Sequence, residues 1–398
     1  MQTVGVVERR TRLARRHGLV PGSRAADVEA AAADIVCLHA TDPATVYLSA
    51  WARVDGMKVA DLDRALYGRR SLVKHMAMRR TLFVFPAAGL DVAQAAVSTR
   101  IATAESRRLA REVERAGLYD DGAGWLERAS AAVMEHLADG RELSWVQLRE
   151  ELPVLGGRIS FGEGRSWGGE YPVGPRVLNV MSAAGRIVRA TNDGGWTSSR
   201  PRWATMRSWL GRDLEDRDET AAMAELVSAW LRAFGPGTER DLRWWLGSTA
   251  AAVRRALRDL AAVEVDLDGT TGYLLPDDLD PARPVEPWAA LLPGLDPTVM
   301  GWSERDWYLG GHREQLFDRN GNGGPTAWWD GRIVGGWHQT PTGEVVVDLL
   351  EEVDEHGRRS LQEQAGRLTD WLGGVVVTHR FPSPLGQRAR SEAPDARP

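Results

Sequence analysis

The chain has 398 residues, with 55 acidic side chains against 50 Lys and Arg, so its net charge at pH 7 is −5. This length allows several domains with hydrophobic cores, and the charge balance argues against a protein that coats nucleic acid through uniform positive charge. The single cysteine excludes an internal disulfide and any cysteine-based zinc site, and the eight histidines form no HExxH motif. No apolar run reaches the roughly 18 residues of a membrane span, and no apolar signal segment follows the basic N-terminus. We therefore expect a cytoplasmic protein without a bound metal.

Charge is unevenly distributed along the chain. From Arg64 to Arg115 there are 11 basic and 4 acidic residues, whereas from Asp259 to Gly357 there are 5 basic and 20 acidic residues. The basic stretch is compatible with a surface that faces DNA, or with an ordinary solvated face of a helix. Five arginines between positions 9 and 16 predict either a helix over the DNA backbone or a flexible tail.

The first 117 residues predict three helices and a hairpin, which is the order of a winged helix. Ser23 is the predicted N-cap of an Ala-rich helix that ends at His39, and Asp42 and Pro43 are the predicted N-cap and first-turn residue of the next helix. Short helical or turn elements are expected at 59–67 and 70–75. Strands at 76–79 and 82–85 and a long helix over 86–117 complete this unit.

The same pattern is predicted twice more. Residues 118–214 form a second winged helix with helices at 125–137, 145–152 (capped by Ser144) and 175–185, strands at 187–190 and 200–203, and a mobile Gly-rich loop over 156–174. Residues 215–280 form a third, with helices at 220–234, 238–246 and 248–260 and a hairpin over 263–275.

A change of composition follows the third unit. Residues 281–381 form a β-rich domain with strands around Asp330-Gly331, a helix at 359–372 and a strand at 374–378, and residues 382–398 form a disordered tail. The predicted fold is therefore α+β, with three tandem winged-helix-like units followed by a β-rich α/β C-terminal domain.

One short segment combines side chains that suit hydrolysis. His39, Thr41 and Asp42 lie within four residues, beside a predicted helix end, and together they could hold and activate one water. The alternative is structural: a histidine at a helix C-terminus satisfies carbonyl groups, and an aspartate before proline caps the next helix.

The frame around this segment is His39-Ala40-Thr41-Asp42-Pro43, followed by Leu48-Ser49-Ala50-Trp51-Ala52-Arg53. It resembles the winged-helix DNA glycosylases of the AlkZ/AlkX (YcaQ-like) type, whose motif is Gln-x-Gln or Gln-x-Asp in a Q-A-Q-D/E-P…L-x-x-W-A-R setting. His39 and Thr41 stand on the two motif positions. Two further segments, Leu231–Gly247 and Leu291–Pro297, resemble the family's F-G-P-x-T…D-F…W-x-G and L-L-P-x-F-D-P stretches. The hairpin segment Arg79–Phe83 stands where the family has Arg-Gly-Thr-Leu-His.

The resemblance implies an enzyme that removes bulky N7-alkylated purines from double-stranded DNA without a cofactor. His39 would then be the general base, Thr41 its hydroxyl partner and Asp42 a reserve of negative charge. The expected DNA contacts are Arg53, Lys74, Arg79, Arg80 and Thr81. Phe83, Phe85 and most of the 17 tryptophans are expected to pack in the core rather than against bases.

The predicted function is thus a monofunctional DNA glycosylase, acting as a nucleoid-associated monomer, with crosslink unhooking or genotoxin self-resistance as its role. Because both motif positions are changed, a catalytically silent DNA-binding protein, a regulator or a lesion sensor, is the alternative. A hydrolase of free nucleosides or glycosides is a third hypothesis, against which the absence of paired carboxylates at the motif argues.

Overall fold

The computed structural model describes residues 1–161 and 168–392, and the chain divides into two compact units. One unit combines residues 1–63 with residues 224–398, and the other comprises residues 64–223. These limits do not coincide with the predicted boundaries after residues 117, 214 and 280, and those finer boundaries remain a prediction. Helices and strands are interspersed along both units, which confirms the α+β class.

Residues 1–63 are mainly helical. Their elements are β1 (Gln2–Thr3), α1 (Val6–Arg16), α2 (Val28–Asp34), β2 (Leu38–His39), α3 (Pro43–Trp51) and α4 (Val59–Asp63). The N-cap of α2 is Asp27, whose carboxylate accepts from the Ala30 amide, so the predicted cap at Ser23 is wrong. The Ser23 hydroxyl instead donates to the Val20 carbonyl, which makes it a turn residue.

Most arginines of α1 pack against the protein, whereas Arg15 is exposed. The Arg12 side chain is 2% exposed and lies 2.7 Å from the Glu8 carboxylate and 3.0 Å from that of Asp278. Arg16 contacts the same Asp278 carboxylate at 2.6 Å, and the Arg9 guanidinium lies over the Trp307 ring. The structure therefore contradicts the predicted flexible tail, whereas contact of this helix with DNA stays a prediction.

The second unit begins with a hairpin and continues as helices around a small sheet. Its elements are β3 (Leu72–Ala77), β4 (Thr81–Pro86), α5 (Leu90–Ala93), α6 (Thr99–Arg115), α7 (Gly122–His136), β5 (Leu143–Ser144), α8 (Trp145–Glu151), β6 (Arg158–Phe161), β7 (Gly169–Pro172), α9 (Gly174–Ala183), β8 (Ile187–Asn192), β9 (Pro201–Thr205) and α10 (Met206–Leu210). A π-helical segment, Gln94–Ser98, connects α5 to α6.

Several details of this unit correct the predictions. The hairpin is confirmed, but its first strand already starts at Leu72, so residues 70–75 are not a short helix. The predicted cap at Ser144 is confirmed, because its side chain and that of Gln147 form a reciprocal capping box. The Gly-rich segment contains the paired strands β6 and β7, whereas its predicted mobility at 162–167 falls outside the described residues.

The core of the second unit lies between α6, α7 and α9 and the sheet β5-β9-β8. Trp125, Val177 and Leu178 are among its fully buried side chains. In the hairpin, Phe83 and Phe85 are 4% and 2% exposed, which confirms that these rings pack inward. The outer face of α6 remains charged, with Arg100, Arg107, Arg108 and Arg111 all exposed.

The remaining elements belong to the first unit, apart from the beginning of α11. They are α11 (Glu219–Phe234), α12 (Glu239–Leu246), α13 (Ala250–Asp259), β10 (Val263–Leu267), β11 (Thr270–Leu274), β12 (Ala289–Leu292), α14 (Pro297–Met300), α15 (Asp306–Leu309), α16 (Arg313–Leu316), β13 (Thr326–Trp329), β14 (Arg332–Gln339), β15 (Val345–Leu349), α17 (Glu355–Leu372) and α18 (Pro384–Glu392). Strand β1 pairs in parallel with β10, and β12 to β15 form an antiparallel sheet.

Two tight turns shape this part as the sequence predicts. Asp268-Gly269 and Asp330-Gly331 connect adjacent strands, and all four residues have positive φ, as a two-residue hairpin turn requires. The end of the chain differs from the prediction. Residues 374–378 are not a strand, and Pro384–Glu392 is a helix rather than part of a disordered tail. Within the described residues, no helix is long and apolar enough to cross a membrane.

Candidate active site and DNA-contact residues

The motif segment lies in the first unit, between α2 and α3. Helix α2 ends at Asp34, and Val36 adopts a left-handed conformation with φ of 68°, so the chain turns before it reaches the motif. His39 therefore lies in the short strand β2, not at a helix end as predicted. Its side chain is 6% exposed, while Thr41 is half-buried.

Asp42 uses both carboxylate oxygens for structure. Oδ1 accepts from the Ala44 amide at 3.3 Å, which confirms the predicted N-cap of α3, with Pro43 in the first turn. Oδ2 accepts from the backbone amide of Arg380 at 3.0 Å, and the Arg380 guanidinium donates to the Thr41 carbonyl. A carboxylate held in this way fixes the position of the motif, so we assign Asp42 a structural role.

The His39 ring has a local contact that bears on its chemistry. The Thr41 amide donates to Nδ1 of His39 at 3.4 Å, which is longer than the usual 2.7–3.2 Å range. A neutral imidazole that accepts at Nδ1 carries its proton on Nε2. To take a proton from water through Nε2, His39 must adopt the other tautomer and give up this contact with the Thr41 amide.

Arg53 is a core residue. It is 1% exposed, and its guanidinium forms a two-pronged ion pair with Asp296, at 2.9 Å from Nη1 to Oδ2 and 2.7 Å from Nη2 to Oδ1. Nη1 also donates to the Ser49 carbonyl and Nη2 to the Thr298 hydroxyl. A guanidinium that is buried and paired with Asp296 cannot reach a phosphate, so the predicted DNA contact at Arg53 is wrong.

The network around Arg53 continues to a buried histidine. The Thr298 hydroxyl donates to Nδ1 of His17, and Nε2 of His17 donates to the Ala233 carbonyl. Burial, together with the charge of Arg53, lowers the pKa of His17 to about 3, so the ring is neutral. Burial alone would raise the pKa of Asp296, but the Arg53 charge and the hydrogen bonds from Arg53, Ser49 and the Thr298 amide together outweigh burial, so the pKa is lowered.

This network connects the three sequence segments that resemble the family's motif stretches. Arg53 closes the segment that follows the motif, Asp296 lies in Leu291–Pro297, and Ala233 lies in Leu231–Gly247. The three segments therefore meet in the core of the first unit, where they secure α3 behind the motif.

The other predicted DNA contacts lie in the hairpin of the second unit. The Lys74 ammonium donates to the Tyr67 hydroxyl at 2.6 Å and lies 4.9 Å from the centre of that ring. Arg80 is exposed at the hairpin turn and pairs with Glu105 of α6 at 3.0 Å, whereas Arg79 is half-buried. Thr81 begins β4 and is half-buried. Arg79 and Arg80 thus lie at the turn and Lys74 lies within β3, and their contact with DNA stays a prediction.

The hairpin turn is strained. Arg79 and Arg80 both have positive φ, 55° and 59°, in a region that glycine and asparagine favour. A left-handed conformation costs an L-residue with a large side chain roughly 1–2 kcal/mol. This strain accompanies the presence of Arg80 where the family pattern has glycine.

Sequence reasoning missed the residues that hold the motif from a distance. Arg380 is 338 positions from Asp42, and Asp296 is 243 positions from Arg53. Buried carboxylates pair with cations, so a lone Asp in the apolar stretch 291–300 was a usable signal that some cation approaches it. No comparable signal identified Arg380.

Comparisons with known proteins agree with this architecture. A family model described as DNA glycosylase AlkZ-like matches residues 32–371. The fold is similar to that of Streptomyces sahachiroi DNA glycosylase AlkZ, with a TM-score of 0.74 and 19% sequence identity over 93% of this chain and 98% of that chain. No curated protein sequence gives a significant match. Since the family model covers most of the chain, the protein belongs to the AlkZ-like DNA glycosylase family.

Proposed function

We propose that this protein is a monofunctional DNA glycosylase that hydrolyses the N-glycosidic bond of bulky N7-alkylated purines in double-stranded DNA. Two observations support the proposal: the chain belongs to a DNA glycosylase family, and Asp42, Arg380 and the Arg53–Asp296 pair hold the motif segment in place. Such preorganisation is what an active site requires. By their resemblance to the family motif, we assign His39 and Thr41 to its two catalytic positions.

The protein need not protonate the leaving base in this reaction. Alkylation at N7 puts a positive charge on the purine, so the base departs without being protonated. What remains is to hold a water near C1′ and to stabilise an oxocarbenium-like sugar. We assign the first task to His39, which accepts a proton from the water through Nε2, a role worth about 10²–10⁴-fold in rate.

Thr41 is the proposed partner of His39. Its backbone amide contacts Nδ1 of His39, and its half-buried hydroxyl can orient the water. A hydroxyl positions water without taking its proton, so its contribution is smaller than that of His39. Asp42 has no proposed role in the reaction, because both of its oxygens accept backbone amides.

Bulky adducts define the proposed biological setting. Unhooking of crosslinks, or self-resistance to a DNA-alkylating natural product, would follow from excision of such adducts by a monomer acting on the nucleoid.

The experiment that tests this substrate class compares excision of a bulky N7 adduct with that of N7-methylguanine in the same duplex. Faster release of the bulky adduct is expected, and release of the methylated base alone would contradict the proposal.

A second candidate function has one observation in its favour. The Thr41 amide at Nδ1 favours the tautomer in which Nε2 of His39 is a donor, and a donor cannot act as a base. The alternative is a silent DNA-binding protein that senses lesions. Incubation of the purified protein with an N7-alkylated duplex, scored by abasic sites, separates the two: a lesion sensor binds the duplex and releases no base.

A further inference from the structure

A cleft in the second unit gathers three arginines. It has a volume of about 270 Å³ and lies between the hairpin turn, α6 and α9. Its polar lining consists of Arg79 and Arg80 from the turn, Glu105 from α6, and Arg176 and Asn179 from α9. The other lining side chains, Met76, Leu109 and Val180, are apolar.

The charge around this cleft favours an anion. Its three arginines face the single carboxylate of Glu105. Behind the cleft, the Glu112 carboxylate lies between Arg108 and Arg176 and is paired with both. Four cations against two carboxylates leave a net charge of +2, enough to hold a phosphodiester with a charge of −1. Arginine forks suit the oxygens of a phosphate.

Asn179 is oriented for donation. Its side-chain oxygen accepts from Arg189 at 3.2 Å. Because the amide is planar, this contact directs the oxygen towards Arg189 and leaves the NH₂ group as the donor that the side chain can present. Amide donors of this kind contact phosphate oxygens.

Glu105 already occupies the position of an anion. Its carboxylate contacts Arg80 at 3.0 Å, and the Arg80 side chain is 54% exposed. An exposed pair of this type contributes little to stability, so a phosphate can replace the carboxylate at small cost. The strained turn gives independent support, since unfavourable backbone conformations persist at ligand sites. Arg79 and Arg80 keep a conformation in which glycine would be easier, and both side chains line the cleft.

We propose that this arginine cleft binds one backbone phosphodiester of DNA, with Glu105 as the internal stand-in for that phosphate. The inference rests on the proposed function only in that DNA is the partner. It adds Arg176 and Asn179 to the DNA contacts, and it assigns Glu105 the role of a competitor that weakens binding until DNA displaces it.

The test measures binding of a fluorescent, lesion-free 20-base-pair duplex over a range of salt concentrations. We expect Arg176→Ala and Arg80→Gly each to weaken binding about 10-fold and to reduce the slope of log K against log salt by about 0.9. Glu105→Gln should bind more tightly than the wild type. The matched control is Arg207→Ala, which removes another exposed ion pair of the same unit, with Asp213, and should bind as the wild type does.

A thermal readout separates this role from a purely structural one. Arg80→Gly relieves the strained turn, so its Tm should rise by about 2 °C or more while its DNA affinity falls. Wild-type affinity in Arg176→Ala with a normal Tm would overturn the proposal, as would weaker binding by Glu105→Gln.

Two further measurements distinguish a DNA phosphate from free inorganic phosphate, and DNA binding from base excision. Inorganic phosphate at 10 mM should leave the wild-type Tm unchanged. Stabilisation by inorganic phosphate that is lost in Arg176→Ala would instead identify a free-anion site and overturn the proposal. Excision of an N7-alkylated base is scored in parallel: arginine-dependent binding without excision supports the cleft and refutes only the glycosylase function.

Discussion

The buried pair of Arg53 and Asp296 leads to a sharp prediction. In Arg53→Met the Asp296 carboxylate loses both guanidinium contacts, at 2.7 and 2.9 Å, and remains in the core at 0% exposure. Removing one partner of a buried ion pair leaves an uncompensated charge and costs about 3–5 kcal/mol of stability. We expect a loss of this size in the free energy of unfolding of the first unit.

Urea unfolding followed by tryptophan fluorescence is a suitable assay. Trp302 stacks on the His17 ring, 5.9 Å away, so unfolding of this network contributes to the change in total emission of the 17 tryptophans. Arg283→Met, which replaces an exposed arginine of the same unit, is the control and should change stability by no more than about 0.5 kcal/mol. Arg53→Met combined with Asp296→Asn should recover part of the loss, because the unpaired charge is then absent.

The pH dependence gives an additional check. In the wild type Arg53 helps to keep the pKa of Asp296 low, whereas in Arg53→Met only the hydrogen bonds from Ser49 and the Thr298 amide oppose burial, so we expect this pKa to rise. A folded-state pKa above the unfolded value means that the folded variant gains stability relative to the unfolded chain as pH falls. The difference in the free energy of unfolding between the wild type and Arg53→Met should therefore become smaller below about pH 5. A loss under 1 kcal/mol with weakened DNA binding would refute the core role of Arg53.

Two further predictions concern the buried histidines and the motif cap. Burial lowers the pKa of His17 to about 3 and that of His75 to about 4, so the unfolded chain binds protons below about pH 6.5 that the folded chain does not. The free energy of unfolding should therefore decrease as pH is lowered in this range, by about 2 kcal/mol per histidine at pH 5. In urea titrations, His75→Gln should lose less stability than the wild type over the same pH range. Asp42→Ala should lower the free energy of unfolding by at least about 1 kcal/mol, because the α3 cap and the acceptor for the Arg380 amide are both lost. A cooperative unfolding curve identical to that of the wild type would contradict the structural role of Asp42.

The features predicted correctly are those that neighbouring residues encode. The turns at Asp268-Gly269 and Asp330-Gly331 and the cap at Ser144 depend on side chains within a few positions of the backbone they satisfy. Such local chemistry is visible in a sequence, and so is the periodicity of long helices. The two-residue strand at His39 has no period to detect, and the sequence pattern placed that residue at a helix end instead.

The errors concern contacts between distant segments. Arginine side chains are mostly exposed in proteins, yet Arg12 and Arg53 are buried because carboxylates 266 and 243 positions away reach them. The helix Pro384–Glu392 likewise lies in a stretch whose Pro, Arg and Ser content suggested disorder. Composition reports the average behaviour of a segment, whereas tertiary partners decide its state.

The most direct test of the central claim is single-turnover excision of a bulky N7-alkylated guanine from duplex DNA by the wild type and by His39→Ala. The control is His356→Ala, an exposed histidine of α17. We expect excision by the wild type and the control, and a rate for His39→Ala that is lower by about 100-fold or more at unchanged DNA affinity. Thr41→Ala should be slowed less. Excision by His39→Ala at the wild-type rate would contradict the assignment of the base, and absence of excision by the wild type would contradict the glycosylase function itself.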